Sequence, residues 1–387
     1  MGYRQTSSSS SLQGASIIAM IALFGVGLLG LSQSVGAAGG GFTLMSETSE
    51  IETGRKLDEE IGEKLGFYTE PKLQAYVTEV GQRLVRAGSP RSFAYSFKIV
   101  DMPEANAFAS MGGFVYITRG MLAELNSEAE LAGVLAHEIA HISHRHVPKQ
   151  MTRAFGYQML GLGAMALGAT LGNADNNLGK APLGISAALM TILRSYSQEA
   201  ELEADESGLL IMSQAGYDPR YLITFLRSLR ARERLTGTGY HGMLATHPET
   251  AERIAKADIM AQLLAAEQAP SDPKEDDYKA RLEGLPYGDR RERLRLDLYR
   301  LQPGDTLASL RQQFLAEGER RWDVARLNRL RNDDALRPGM LLKVVVADNR
   351  PLALPQRRLE VSEERPVPLP PPPPVPTRRS RVPWPRN

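Results

Sequence analysis

The chain has 387 residues, of which 42% are hydrophobic and 24% charged. This is enough for one large or two modest folded domains, and too apolar for a disordered chain. Its 46 basic and 45 acidic residues leave a net charge of +1, so the chain lacks the overall charge by which many proteins bind nucleic acid. The absence of cysteine excludes disulfides, iron–sulfur clusters, cysteine-ligated zinc and a thiol nucleophile. Four of the six histidines lie within residues 137–146, which indicates a site there.

Residues 1–37 are predicted to be a signal peptide or a membrane anchor. Arg4 precedes an apolar run over residues 15–31, and a small-residue triplet at 35–37 fits a cleavage site. The apolar run is slightly long for a cleaved signal, which leaves an uncleaved anchor as the alternative. Both interpretations predict that the rest of the chain is exported.

The apolar pattern of the middle of the chain predicts an α+β domain that is mainly helical. Residues 46–88 favour two helices with a break near residues 66–71, and alternation over residues 93–101 favours a strand. Residues 113–118 favour a second strand, and a long helical region follows it. After that region, residues 268–296 are charged and without periodicity, so we expect a linker.

The histidine-rich segment contains the pattern His-Glu-x-x-His at His137, Glu138 and His141. Residues four apart share one face of a helix, so the two histidines can hold one Zn²⁺ while Glu138 takes a proton from the attacking water. Ser127 and Glu130 form a capping box upstream, which predicts the start of that helix. The alternative is an amphipathic helix with paired surface histidines.

A catalytic zinc needs a third protein ligand. The compact metzincin extension requires glycine at 144 and histidine at 147; the chain has His144 and Val147, which excludes that class. We expect His144 to lie outside the ligand set and His146 to be a surface residue. Glu201 and Asp205 share a helix face downstream, so Glu201 can bind the metal and Asp205 can hydrogen-bond a ligand histidine. Three acidic neighbours compete by spacing alone: Glu199, Glu203 and Glu206.

Residues 137–141 joined to residues 201–205 resemble the gluzincin zinc metallopeptidase family of the CAAX prenyl protease and HtpX type, which includes a periplasmic beta-barrel assembly-enhancing protease. Residues 106–113 resemble the family's segment before its active-site edge strand. Residues 246–248, with Arg253, resemble its threonine-histidine-proline motif. The resemblance covers about residues 50 to 264.

The resemblance implies a zincin-like metallopeptidase domain over residues 46–267, mainly helical with a small antiparallel sheet. It implies one Zn²⁺ per subunit, with Glu201 as the third ligand and Asp205 as the acid behind a ligand histidine. It also implies polypeptide substrates, such as envelope or outer-membrane proteins, and a periplasmic location. Two positions depart from the family pattern: Met111 replaces a usual proline, and Gln198 replaces a usual arginine.

His247 is a second catalytic candidate, and the resemblance favours a position near the metal. An imidazole there could stabilise the oxyanion, or occupy the open metal position and silence the enzyme. The alternative is a turn residue that leads into a helix. These possibilities stay open at the level of the sequence.

An exposed edge strand beside the metal can bind an extended peptide through main-chain pairing. We expect residues 113–118 to form that strand, with Asn106 positioning it. The predicted substrate-binding residues are therefore Asn106, Gly113, Phe114, Val115 and Tyr116.

An apolar insert separates the two metal motifs. Residues 154–174 and 181–193 are largely free of charge, but the second run is shorter than the roughly 20 residues of a membrane span. We expect buried helices, or a lid that touches the membrane surface, and keep membrane insertion as the alternative.

The C-terminal region resembles a LysM domain. Residues 297–348 have the order strand, Gly-Asp-Thr-Leu turn, helix, Asn, Pro-Gly and strand. The resemblance implies a small βααβ module, and LysM domains bind N-acetylglucosamine polymers such as peptidoglycan. The alternative is a spacer. Residues 349–387 include five consecutive prolines from Pro370 to Pro374, which predicts a disordered polyproline-II tail.

Three functions follow from these features. The leading hypothesis is a zinc endopeptidase of the cell envelope that hydrolyses misfolded or exported proteins, with Glu138 as the general base. The second is a chaperone-like or adaptor protein whose zinc site is latched and which is tethered to peptidoglycan. The third is a wall-binding protein in which catalysis is incidental.

Overall fold

The computed structural model describes most of the chain between residues 43 and 350. The described residues are 43, 45–88, 91, 93–154, 189, 192, 196–236, 243–247, 251–314, 324–330 and 332–350. The predicted signal or anchor (1–37), most of the apolar insert (154–193) and nearly all of the predicted tail (349–387) lie outside them. No helix of this described part is both long and apolar enough to cross a membrane.

Two helices open the described chain, as the sequence predicts. α1 spans Glu47–Lys64 and begins after Ser46, whose Oγ accepts a hydrogen bond of 3.2 Å from the Ser49 amide. Gly66 then adopts a left-handed φ of 76°, which a glycine reaches without steric cost. α2 spans Pro71–Gly88 and starts with a proline, which suits a first helical turn because that turn needs no amide donor.

A three-stranded sheet lies beside these helices. β1 spans Ser96–Val100, β2 spans Ala107–Ala109 and β3 spans Phe114–Thr118, in the spatial order β1-β3-β2. The predicted antiparallel pairing holds for β2 and β3, whereas β1 runs parallel to β3. Because β3 has a partner on each side, the prediction that residues 113–118 form an exposed edge strand is wrong. β2 is the edge strand on one side of this sheet.

The helical layer is centred on α4 (Glu128–Ser143), which is buried along nearly its whole length. Its predicted start is confirmed, since the Ser127 Oγ accepts a hydrogen bond of 3.1 Å from the Glu130 amide. α5 (Gln198–Gln214) approaches α4 closely because it carries Gly208, where a Cβ would lie 3.1 Å from the main-chain nitrogen of His137. The helices of this layer are α3 (Arg119–Glu124), α4 (Glu128–Ser143), α5 (Gln198–Gln214), α6 (Arg220–Thr236), α7 (Met243–Thr246) and α8 (Ala251–Ala266).

The segment predicted as an irregular linker is folded and packed. Within residues 268–296, α9 spans Glu275–Arg281 and β4 spans Pro286–Tyr287. Tyr278 is fully buried in the core that contains α4, and its hydroxyl donates a hydrogen bond of 2.7 Å to the Leu122 carbonyl. The prediction of a linker is wrong. The charged residues of α9 are evident in the sequence, but the burial of Tyr278 on the same helix is not.

The C-terminal module has the predicted order of strand, helix, helix, strand. β5 spans Leu294–Arg300, α10 spans Leu307–Phe314, α11 spans Val324–Leu327 and β6 spans Leu341–Ala347. β4, β5 and β6 form an antiparallel sheet in that order. The module has a small core of its own: Leu301, Leu310, Val324, Leu342 and Val344. One compact unit of the chain extends to Asp348.

Candidate metal centre

Four side chains from two helices, α4 and α5, and from the turn after α7 converge on one point. Each of them offers a ligand atom, and these atoms all lie within 4.8 Å of one another. All four residues are buried: His137, His141, Glu201 and His247. The structure therefore brings together the three predicted metal ligands and the second predicted catalytic residue.

The ligand atoms face each other closely. The Nε2 atoms of His137 and His141 are 3.0 Å apart, and the Nδ1 atom of His247 lies 2.8 Å from a carboxylate oxygen of Glu201. Two imidazoles and a carboxylate from two facing helices are the donor set typical of a catalytic zinc. This donor set fits the predicted Zn²⁺ cofactor.

Glu138 lies beside this cluster and is fully buried. Neither of its carboxylate oxygens makes a hydrogen bond to the described residues, and the nearer one lies 3.5 Å from the Nε2 atom of His247. Burial raises the pKa of the Glu138 carboxyl above its ordinary value, and the positive charge of neighbouring histidines only partly offsets this. A carboxylate in such an environment is a strong proton acceptor that is free to act on a water molecule.

Asp205 contacts a ligand histidine, at the place that the sequence predicts. Its Oδ1 atom lies 3.1 Å from the Nδ1 atom of His137. Arg253 completes the arrangement: its Nε donates to Asp205 at 2.5 Å, and its Nη1 pairs with Glu201 at 2.5 Å. Burial favours a raised pKa for Asp205, but hydrogen bonds from Arg253 and His137 outweigh it and hold that pKa below its usual value.

His146 corrects a prediction. It is buried rather than at the surface, and its Nδ1 atom lies 2.7 Å from the Nδ1 atom of His141. Helical periodicity could not place it, because α4 ends at Ser143 and Arg145 adopts a left-handed φ of 56°. This turn redirects the chain and returns His146 to the outer side of His141.

Two other side chains, Tyr196 and His144, lie next to the ligand cluster. Tyr196 stacks on the His141 ring, with centroids 4.1 Å apart, and no spacing in the sequence indicates this contact. His144 lies outside the ligand cluster, as expected. Its ring nitrogens lie 2.7 Å from the Ser207 hydroxyl and 3.0 Å from the Glu203 carboxylate.

The predicted peptide-binding residues fall into two groups. Asn106 is buried beside the site: its Oδ1 accepts hydrogen bonds from the Ala107 amide at 2.9 Å and from the Thr246 hydroxyl at 3.3 Å. Four others belong to β3 or to the turn before it: Gly113, Phe114, Val115 and Tyr116. Since β3 is paired on both sides, its main chain is not available to a peptide.

The edge strand β2 lies next to Glu138 instead. The Thr118 amide donates to the Asn106 carbonyl and the Ser110 amide donates to the Phe114 carbonyl, so alternate residues of β2 turn their main-chain groups toward β3. By the same alternation, the main-chain groups of Ala107 and Ala109 point away from β3. The Ala109 amide is close enough to Glu138 to limit the rise of its pKa, although its geometry falls short of a hydrogen bond.

Comparisons with known proteins agree with this geometry. The model of Peptidase family M48 matches residues 71–261, and the LysM domain model matches residues 299–345. The chain is 32% identical over 236 residues to the beta-barrel assembly-enhancing protease of Escherichia coli (strain K12), covering 59% of this chain and 47% of that protein. It is 31% identical over 189 residues to the protein of the same name from Yersinia pestis, covering 49% of this chain and 39% of that protein.

A mitochondrial relative matches the same region. The chain is 31% identical over 186 residues to the mitochondrial metalloendopeptidase OMA1 of Schizosaccharomyces pombe (strain 972 / ATCC 24843), covering 47% of this chain and 51% of that protein. The chain spans about half the length of the curated relatives that it matches, or less. The family match and the buried donor cluster confirm zinc as the cofactor. The chain therefore contains a Peptidase family M48 domain, a zinc metallopeptidase domain, followed by a LysM domain.

Proposed function

We propose that the protein is a zinc-dependent endopeptidase of the cell envelope that hydrolyses misfolded or exported proteins. The observation that carries this proposal is the Glu138 carboxylate, which is buried, without a hydrogen-bond partner among the described residues, and adjacent to the donor cluster. A purely structural metal site has no need of an unpartnered buried carboxylate, because burying such a group costs free energy.

In the proposed mechanism, His137, His141 and Glu201 hold the metal. When bound, zinc supplies a Lewis acid that polarises the scissile carbonyl and acidifies water. Glu138 takes a proton from the attacking water and later gives a proton to the leaving amine. The products are a new carboxylate and a new amino terminus, so one water is consumed for each peptide bond broken.

We propose that an extended peptide adds a strand on the outward side of β2, where main-chain groups of Ala107 and Ala109 point away from β3. The Ala107 amide already donates to the Asn106 side chain and both alanines are fully buried, so the groups left for pairing are the two carbonyls and the Ala109 amide, and pairing requires that they become accessible. Asn106 supports this strand from behind, because its side chain joins β2 to Thr246 and so to the segment that carries His247. The scissile bond of such a peptide would lie over the metal and Glu138.

A latched, chaperone-like or adaptor function is the second candidate, and the position of His247 favours it. Its imidazole already lies within the donor set, 2.8 Å from Glu201. A fourth protein ligand would close the position that a catalytic zinc keeps open. The same imidazole could otherwise stabilise the oxyanion of the tetrahedral intermediate.

The decisive experiment measures bound zinc and casein cleavage for the wild type and for Glu138→Gln. We expect both proteins to bind one zinc and only the wild type to cleave. Equal cleavage by the two proteins, or a wild type without zinc, would refute the mechanism. His247→Ala should increase cleavage if His247 is a latch and decrease it if His247 stabilises the oxyanion.

Association with peptidoglycan is proposed from the LysM domain. Residues of this domain pack into the core of the peptidase domain, so the test should use the whole chain rather than the module alone. We expect the protein to sediment with insoluble peptidoglycan and to be released by soluble N-acetylglucosamine oligomers. Sedimentation without such release would indicate non-specific adhesion and argue against glycan binding.

A further inference from the structure

We propose that His146 and Glu203 are positioning residues that orient the ligand His141 toward the metal. This inference rests on the proposed function, because it assigns a task at the same zinc site. Neither His146 nor Glu203 has a role in the family motifs at residues 137–141, 201–205 and 246–248.

The first step concerns the proton on His141. Its Nε2 atom lies 3.0 Å from the Nε2 atom of His137 and 3.5 Å from Glu201, so Nε2 faces the donor cluster. A neutral imidazole that binds a metal through Nε2 carries its proton on Nδ1. The Nδ1 atom of His141 must therefore donate a hydrogen bond, and its partner at 2.7 Å is the Nδ1 atom of His146.

The second step concerns His146, which must accept that hydrogen bond. Its own proton then sits on Nε2, and this atom lies 3.0 Å from a carboxylate oxygen of Glu203. The result is a directed chain in which His141 donates to His146 and His146 donates to Glu203. Each ring has only one tautomer compatible with this order, so the chain fixes the nitrogen that His141 presents to the metal.

Packing holds the hydrogen-bonded series of His141, His146 and Glu203 in place. The ring of His146 meets that of His141 edge to face, with centroids 4.8 Å apart, while Tyr196 stacks against His141. The left-handed turn at Arg145 fixes the main chain before His146. The two ligand histidines thus have different outer partners: His137 donates directly to the Asp205 carboxylate, and His141 reaches a carboxylate only through a second imidazole.

The test measures the zinc dissociation constant by competition with a chromogenic chelator, using the whole chain. We expect His146→Leu to weaken zinc binding about 10- to 100-fold, because an outer-shell partner of a ligand histidine is lost. His146→Asn places an amide oxygen near the position of Nδ1 and should stay within about threefold of the wild type. Glu203→Leu should give an intermediate loss.

The matched control is His144→Leu. It makes the same chemical change two residues away. His144 contacts Ser207 and the other carboxylate oxygen of Glu203 and stacks against His146, but it makes no hydrogen bond to His141. Zinc affinity should remain within about threefold of the wild type. Substitution with Co²⁺ adds a spectroscopic readout: the visible d–d bands should shift in His146→Leu and stay unchanged in His144→Leu.

The outcomes separate this inference from the proposed function. If the wild type binds zinc and His146→Leu binds it as tightly with the same Co²⁺ spectrum, the inference is wrong and the proposed function stands. If His146→Asn is as weak as His146→Leu, acceptance of the His141 hydrogen bond is not the task, and the inference is again overturned. A wild type that binds no zinc would overturn both.

Discussion

Arg253 is the buried cation that holds the two carboxylates of the site, and its removal should be severe. On α8, its guanidinium pairs with Glu201 at 2.5 Å and with Asp205 at 2.5 and 2.9 Å. The side chains of all three residues are at most 2% exposed. Arg253→Met keeps most of the side-chain volume but leaves two buried carboxylates without their shared cation.

The expected cost follows from this burial. Removing one partner of a buried ion pair destabilises a protein by about 3–5 kcal/mol, because the remaining charge is left in a low-dielectric interior. For a domain of this size, 1 kcal/mol corresponds to about 2–4 °C in Tm, so the metal-free variant should melt about 6–20 °C below the wild type. With zinc bound, the Glu201 carboxylate has a second positively charged partner, so the difference in Tm between the variant and the wild type should be smaller.

Differential scanning calorimetry of the metal-free and zinc-loaded proteins tests this reasoning. The control is Arg227→Met, because Arg227 pairs with Asp258 at 2.9 Å while its side chain is 57% exposed. A solvent-exposed pair contributes at most about 1 kcal/mol, so the control should melt within about 4 °C of the wild type. If Arg253→Met melts no lower than Arg227→Met, the guanidinium does not compensate the two carboxylates.

Three further predictions concern other parts of the molecule. Burial lowers the pKa of Lys343 to about 7. The unfolded chain keeps that proton up to the ordinary pKa of lysine, so the free energy of unfolding should rise from pH 7 toward pH 10. In urea titrations, the free energy of unfolding of Lys343→Met should lack this rise. If that free energy changes with pH by the same amount in both proteins, the prediction is wrong. Ser127→Ala removes the N-cap of α4 and should cost about 1 kcal/mol in the same assay, while no measurable loss would mean that the cap is dispensable. Removal of zinc by a chelator should abolish cleavage and lower Tm, and free zinc at a hundredfold excess over its Kd should restore about 2.7 kcal/mol; an unchanged Tm would show that the metal does not bind the folded state.

The metal motif was predictable because its parts are local. His137 and His141 lie on one face of α4, and Glu201 and Asp205 lie on one face of α5, so helical spacing alone pairs them. Spacing does not distinguish Glu201 from its acidic neighbours, because α4 and α5 are far apart in the sequence and their relative rotation is unknown. The family resemblance makes that distinction. The structure adds the physical reason, because Glu201 is fully buried on the face of α5 that meets α4, whereas Glu203 lies on its edge.

The wrong predictions all depend on contacts that spacing cannot express. Nothing within residues 113–118 shows which strands lie on either side of them, so the sequence favours an edge at β3, whereas the structure has β2 at the edge. Helical periodicity does not predict the position of His146, because α4 ends at Ser143 and Arg145 adopts a left-handed conformation. In both cases the local pattern is present in the structure, but its neighbours in space do not follow from it.

The packing of the LysM domain joins the C-terminal module to the helices α3 and α4 of the peptidase domain. Lys343 on β6 donates hydrogen bonds of 2.6 Å to the carbonyls of Ala123 and Leu125, at the end of α3. Arg329 forms an ion pair with Glu130, in the first turn of α4, the helix that carries His137 and His141. These contacts satisfy main-chain groups and a carboxylate that a separate peptidase domain would have to expose or satisfy in another way. The start of the metal-binding helix is therefore built partly from the C-terminal module, and the charged segment before that module is a folded part of the same core.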